Sequence, residues 1–443
     1  MRVLSERLTT LEAEGRPIQI ALVGCGHIGT AIINQLSQMV GMRVAVIAEP
    51  AIERARAALH ANGVESVDVV DDADQVAAAM GASVTAITAD FESAVAAPVD
   101  LVVDATGLPE VGARVALAAF AAGRGLLTMN VELDATVGAL LRRKASEAGV
   151  VYTLDSGDEP GAAMQLVEFV RSLGFRVVCA GKGHGLSPII HEATPETLGD
   201  EAERLGLSPH IYTTFRDGTK TYMELTCLGN ALSMPPDRRG GYAPQVTSDE
   251  LNGVFRLKSQ GGLLSEEGVV DFAVGFVTPE GKPDWRRSVG PGVFVVYTTD
   301  HEGIRGDLEY LGQGPGPTYT LYRHYHLPGI ETPHAIARAA LDGTASLCPA
   351  EIPVADAVAV AKRDLEPGEI LDGLGGFTVR ATVEKASVAR AERLVPVALT
   401  ENARVVHPVS AGTALTMDDL DLDGESLVVQ LRQEQDSHLG EGT

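Results

Sequence analysis

The sequence has few cysteines and no paired ones. Cys25, Cys179, Cys227 and Cys348 are the only four among 443 residues, far apart and without a C-x-x-C spacing. That argues against structural zinc and against a disulfide framework, and it fits a reducing compartment. Positive charge is also short: 35 Lys and Arg face 60 Asp and Glu, for a net charge of −25. So acidic a chain is not built for nucleic acid or for an anionic membrane. An anionic cofactor is not excluded, because backbone amides and a few local cations can hold one. No apolar run approaches the length that spans a bilayer. Met1 to Glu14 sets Val3, Leu4, Leu8 and Leu11 among charges and lacks the apolar core of a signal peptide. A cytoplasmic protein is expected.

What is present is an ordinary globular composition, 45% hydrophobic with a mean hydropathy of +0.09. The length predicts two to four domains, each able to bury a core. The chain is organised around the stretch from Pro17 to Pro50. Ile18, Ile20, Ala21, Leu22 and Val23 suit a parallel strand buried on both faces. Gly24, Gly26 and Gly29 follow as G-x-G-x-x-G, and a helical pattern runs on to about Met39. The next apolar run, Val44 to Ala48, ends at Glu49, 20 residues after Gly29. A lone glycine motif would be weak, but strand, glycines, helix, second strand and acid in this order are what a dinucleotide site needs. Gly24 permits the tight turn, Gly26 lets a pyrophosphate approach the backbone, and Gly29 lets helix and strand pack. The amides around His27 and Ile28 and the positive end of the helix then face the phosphates. Glu49 can accept from ribose hydroxyls, which favours NAD over NADP.

Beyond this unit, helical stretches alternate with short apolar runs at Ser66 to Val70, Val84 to Thr88, Leu101 to Asp104, Leu126 to Met129 and Val150 to Leu154. The alternation predicts an α/β fold with an open, doubly wound parallel sheet over residues 1–155, which places ligands at the carboxyl ends of its strands. Two such ends stand out. Ala105, Thr106 and Gly107 are small enough for a flat ring or ribose to lie against them. Asn130 is a candidate cofactor contact or, equally, a helix cap.

From residue 156 the texture becomes that of an α+β domain, here 156–350. A helix is predicted over Ala162 to Leu173 and another over Pro333 to Leu341, with strands at Phe175 to Cys179, Tyr222 to Thr226, Val269 to Val277, Val293 to Thr298 and Thr318 to Tyr325. Residues 351–443 read as a small β-rich domain. Its two halves echo each other, Ala361 to Asp372 against Pro408 to Leu420, each with a glycine turn, then apolar residues, then an acid. The polar tail from Gln433 to Thr443 is expected to fray.

The sharpest chemical constellation is Asp158 and Glu159 in a Gly/Pro-framed turn, with Lys182 in a second glycine-framed loop. The carboxylates could hold Mg²⁺ or Mn²⁺. They could instead relay protons, with Lys182 as the acid or as the group polarising a carbonyl. A solvated acidic turn ahead of a helix is the plainer alternative. Lys220 and Glu224 share parity on the expected strand, with Asn230 just beyond, and a solvated strand face competes with a substrate role. Arg238 and Arg239 could bind an anion or be a basic surface loop. His324 and His326 alternate, which more often marks an ordinary strand pair than a metal site.

Taken together, Gly24-Cys-Gly-His-Ile-Gly29, Asp104-Ala-Thr-Gly-Leu-Pro-Glu-Val-Gly112, Met129-Asn-Val-Glu132, Gly157-Asp-Glu-Pro160, Ala180-Gly-Lys-Gly183, Asn230-Ala231 with Pro236-Asp237, Gly290-Pro-Gly-Val-Phe-Val-Val296 and Tyr325-His-Leu327 resemble the 1-deoxy-D-xylulose 5-phosphate reductoisomerase-like oxidoreductases. The resemblance covers nearly the whole chain. It implies a homoserine dehydrogenase-like NAD(P)-binding Rossmann domain, a catalytic domain and a C-terminal SAF domain of β-clip type. It also implies an NAD(P)-dependent enzyme, usually a homodimer, acting on a small polyhydroxylated or phosphorylated carbonyl or alcohol. In that reading Lys182, Asp158 and Glu159 are catalytic, the two carboxylates also metal-binding, and Lys220, Asn230 and His326 touch substrate. Simple alcohol or aldehyde dehydrogenation, or a protein that binds NAD(H) or carbohydrate without catalysis, are the alternatives. Two departures matter. Homoserine dehydrogenases carry Asn-Lys where this chain has Asn130-Val131, and NADPH-dependent members place arginines where it has Glu49-Pro50.

Overall fold

The computed structural model describes residues 3–185 and 188–441. Packing divides the chain into two compact units, Met1–Asp158 with Leu327–Glu351, and Glu159–His326 with Ile352–Thr443. Residues beyond 351 join the second unit, and the segment 327–351 returns to the first.

The first unit is built on seven parallel strands: β1 (Ile18–Val23), β2 (Met42–Ala48), β3 (Val67–Val69), β4 (Thr85–Thr88), β5 (Leu101–Asp104), β6 (Gly125–Thr128) and β7 (Tyr152–Leu154). They lie in the order β3-β4-β2-β1-β5-β6-β7. From β4 to β7 this is a Rossmann order, with β3 as an added edge, and the chain reverses direction between β1 and β5. The central strands are buried almost throughout, as a sheet covered on both faces requires. Helices start where short polar side chains accept from free amides: Asp72 from Gln75 N, Asp90 from Glu92 N and Ser93 N, and Asn130 from Leu133 N. Met1 to Glu14 contains a helix, Leu4–Ala13, whose Leu8 is buried in the core beside Ile18 and Met42. The predicted helix near Pro333 exists as Thr332–Asp342, but its Ala335 and Ile336 belong to this same core rather than to the substrate domain.

The second unit holds a four-stranded sheet of β8 (Arg176–His184), β9 (Val269–Val274), β10 (Val293–Thr298) and β11 (Thr318–Arg323), in the order β11-β10-β8-β9. β8 pairs parallel with β9 and antiparallel with β10. Phe255 and Phe294 stack at 5.1 Å in the core of this sheet. The C-terminal part adds the antiparallel pair β12 (Ala355–Ala361) and β13 (Val379–Lys385), with the short pair β14 (Arg404–Val405) and β15 (Leu420–Asp421). Its two echoing turns pair with each other, through Leu365 N to Val409 O at 2.8 Å and Val409 N to Leu365 O at 3.0 Å.

Three expectations fail here for physical reasons. Tyr222 to Thr226 is not a strand but the middle of a helix, Thr219–Leu232. That helix is in contact with both β9 and β13 and is buried on nearly every side, so its sequence shows no polar face from which a helical period could be read. The strand predicted over Phe175 to Cys179 continues to His184, so Lys182 stands on β8 and not in a loop. Its flanking glycines make room for neighbouring chains: a Cβ at Gly181 would lie 1.9 Å from Asp271 O, and one at Gly183 2.0 Å from Gly290 N. The tail from Gln433 does not fray at once, because it forms the end of the helix Leu427–Glu441, with residues 442–443 outside the described part. Among the described residues no helix is long and apolar enough to cross a membrane.

Candidate active site

In the first unit the glycine turn behaves as its residue types require. Gly24 has φ +93°, and a Cβ on it would come within 2.9 Å of the Ala105 backbone. A Cβ on Gly29 would lie 2.2 Å from Gly24 O, so only glycine lets the helix His27–Leu36 pack against the turn. Gly26 is different: nothing lies within 4 Å of a Cβ built there. The turn thus offers an open backbone at the start of a helix, which fits a pyrophosphate. Beside it a cleft of about 470 Å³ is lined by Cys25, Gly26, His27, Thr30, Ala31, Asn34 and Arg54.

Glu49 does something other than expected. Its carboxylate is buried and accepts from Cys25 N at 2.9 Å and Ala51 N at 3.0 Å, with Arg54 Nη1 3.6 Å away. It braces the glycine turn from behind as well as placing a negative charge at the end of β2. At the end of β5 the buried Asp104 takes the Thr106 amide at 3.0 Å and hydroxyl at 2.6 Å, and the Thr128 hydroxyl at 3.0 Å. Burial pushes its carboxyl above the usual range. Ala105 and Thr106 are half-buried and Gly107 is exposed, as a ligand-facing rim would be. Asn130 is the exception. It is fully buried and caps the helix Val131–Glu147 through Oδ1, while its Nδ2 has no hydrogen-bond partner among the described residues.

In the second unit the chemistry converges on Lys182. Its Nζ donates to Glu159 Oε1 at 2.6 Å and to Glu224 Oε2, with 7% of its side chain exposed. Burial opposes its charge, and the two carboxylates outweigh burial, so the ammonium is held above its ordinary value. His326 Nε2 lies 3.2 Å from the other oxygen of Glu159, while its Nδ1 donates to Pro291 O at 2.8 Å. Lys220 Nζ stands 4.0 Å from Glu224 Oε1, one helical turn away on the same face. The result is a row of contacts, His326–Glu159–Lys182–Glu224–Lys220, in which two carboxylates alternate with two lysines and a histidine, contributed by the start of the helix Glu159–Ser172, by β8, by the helix Thr219–Leu232 and by the turn after β11.

Of the residues read as catalytic or substrate-binding, Lys182, Glu159, Lys220 and His326 are brought together. Asp158 directly precedes Glu159 in sequence and ends a stretch of the first unit. Asn230 is diverted: its Oδ1 accepts from Val354 N and Ala355 N, both at 2.9 Å, and so anchors the start of β12. Arg239 is likewise taken up, by Glu384 and Glu392. The site residue given no role from sequence was Glu224. Its spacing from Lys220, four residues, was visible, but it was assigned to a strand.

Comparison with protein families agrees with this division of labour. Residues 24–155 match the homoserine dehydrogenase NAD-binding domain, residues 157–332 the catalytic domain of oxidoreductase DRL, and residues 356–421 the SAF domain. The chain is an NAD(P)-dependent oxidoreductase with a DRL catalytic domain. No curated protein matches its sequence. Solved structures similar to it include 1-deoxy-D-xylulose 5-phosphate reductoisomerase from Zymomonas mobilis with NADPH, at 18% identity and a TM-score of 0.37, covering 49% of this chain and 59% of that one. GenD2 from gentamicin A biosynthesis with NAD gives 14% identity and a TM-score of 0.37, over 74% and 87% of the two chains. Apo scyllo-inositol dehydrogenase from Lactobacillus casei gives 15% and 0.26, over 38% and 45%. Within the DRL match lie Glu159, Lys182, Lys220, Glu224 and His326, the whole of this row.

Proposed function

We propose that the protein interconverts a carbonyl group and an alcohol on a small polyhydroxylated compound, with Lys182 as the electrophile that receives the carbonyl oxygen. The observation that carries this reading is a buried ammonium held between Glu159 and Glu224 in the DRL domain. Bound NAD(P)H supplies the hydride. Lys182 stabilises the negative charge that builds on the oxygen and gives it a proton from Nζ, which is then reprotonated from solvent, while Glu159 and Glu224 hold the ammonium in place. Because Lys182 is held protonated, it serves better as an acid in reduction than as a base in oxidation.

A resident Mg²⁺ or Mn²⁺ would have to compete with Lys182 for Glu159. Glu159 and His326 each carry a ligand atom, but the ammonium of Lys182 already lies on Glu159, and a divalent cation there would meet that charge at short range. Glu49 places a carboxylate at the end of β2, which disfavours a 2′-phosphate and supports NAD as the preferred cofactor.

A panel of sugar acids, polyols and sugar phosphates, followed by the absorbance of reduced nicotinamide with each cofactor, tests the proposal. Turnover of a polyhydroxylated compound that disappears in Lys182→Ala supports it. Tight NAD(H) binding with no turnover of any compound would instead favour a binding protein.

A further inference from the structure

Two residues beyond Lys182 on β8, and so on the same face of the strand, stands His184. It is 4% exposed, and its Nδ1 lies 3.0 Å from Thr221 Oγ1 on the helix Thr219–Leu232. Lys182 reaches Glu224 on that helix, and His184 reaches Thr221 one turn earlier. Strand and helix are thus joined by two neighbouring rungs, one ionic and one neutral.

The direction of the proton in the second rung follows from chemistry. Thr213 and Thr226, also on helices, give their hydroxyl protons to the carbonyl four residues earlier, at 2.8 and 2.9 Å. Thr221 makes no such bond among the described residues, which leaves Nδ1 as the acceptor for its proton and assigns the imidazole proton to Nε2. That Nε2 is buried and has no hydrogen-bond partner among the described residues. Buried donors are rarely left so unless a ligand completes them. The ring also stays uncharged: burial, and then the nearby Lys182 and Arg216 cations, push it down to about 3 against the opposing pull of Glu159.

We infer that His184 Nε2–H is a substrate contact, donating to a second oxygen of the substrate, a hydroxyl or carbonyl, beside the one taken by Lys182. This rests on the oxidoreductase reading above and adds a specificity element to it. The charges of Lys182 and Lys220 are balanced by Glu159 and Glu224. A neutral donor added to a balanced site selects an uncharged oxygen next to the reacting carbon. Substrates lacking that oxygen leave the donor unpaired and are discriminated against.

Two measurements on the full chain test this. In ¹⁵N-histidine spectra, with His184 assigned by its loss in His184→Asn, the ring is expected in the Nε2–H tautomer without titrating across neutral pH. A Nδ1–H tautomer, or titration near neutrality, overturns the inference whether or not a substrate is known. The kinetic arm uses the compound turned over in the panel above. His184→Asn, which keeps a partner for Thr221 but places no donor at the Nε2 position, is expected to raise KM about tenfold or more with a smaller change in kcat. His184→Gln, which restores an N–H near that position, is expected to recover most of the loss. Equal behaviour of the two variants, or recovery by Asn rather than Gln, reduces His184 to a structural residue and sinks the inference. Absence of turnover in the wild type would count against the oxidoreductase reading, and the spectra would still decide the tautomer.

Discussion

The two units build their sites from different materials. The first presents backbone: an open amide turn at Gly24 to Gly29, braced by Glu49 and shaped by Gly24 and Gly29, which a side chain cannot replace without a clash. The second presents side chains, a largely buried row of carboxylates, lysines and a histidine drawn from two helices, a strand and a turn. A backbone site recognises what many ligands share, a pyrophosphate. A side-chain site can differ by one residue and so carries the specificity and the chemistry.

The contrast predicts that each site can be destroyed without the other. The largest effect is expected from Gly29→Val, whose Cβ would press on Gly24 O from 2.2 Å and should abolish NAD(H) binding measured by nicotinamide fluorescence. If that variant binds normally, the turn is not the cofactor site. Lys182→Ala should do the opposite, leaving cofactor affinity intact while lowering kcat by about 10²-fold or more, the scale of one acid–base group. Near-normal turnover would remove Lys182 from the chemistry.

A subtler difference is electrostatic. Burial, and then the neighbouring Asp158, push the Asp155 carboxyl up to about 7 from an ordinary 3.8. The folded chain therefore keeps a proton that the unfolded chain has lost, so this contribution to stability is complete below 3.8 and fades as the pH rises to about 7. The lost stabilisation is of order 4 kcal/mol. Melting temperatures taken across this window should fall more steeply with pH for the wild type than for Asp155→Asn, and parallel slopes would refute the assignment. Arg54→Ala should change NADH affinity less than about fivefold, since its pairing with Glu49 at 3.6 Å is that of a largely exposed cation. The smallest effect is expected from exhaustive treatment with EDTA, which should leave turnover unchanged. Loss restored by Mg²⁺ would show that a metal displaces Lys182 from Glu159.

The same contrast explains what the sequence could reveal. A backbone site needs glycines at fixed offsets between a strand and a helix, and that order is local, so Gly24, Gly26 and Gly29 could be read directly. Lys182 and Glu159 were found because glycine and proline frame them. Glu224 was not, since it lies 42 positions from Lys182 on a helix with no solvent face. Asn130 and Asn230 are hard to read for a related reason: an asparagine serving a helix end or an incoming strand looks in sequence like one awaiting a ligand.

The C-terminal segment also has a bearing on how the enzyme could have been assembled. Lys362, almost wholly enclosed, lies 2.8 Å from Asp217 Oδ2 and donates to Ala193 O and Gly376 O at 2.7 Å, while Asn230 holds the amides that open β12. Cutting the chain near residue 351 would strand Asp217 without its countercharge and Asn230 without its donors. What family boundaries mark as a separable module is, in the folded molecule, a graft whose removal wounds the host.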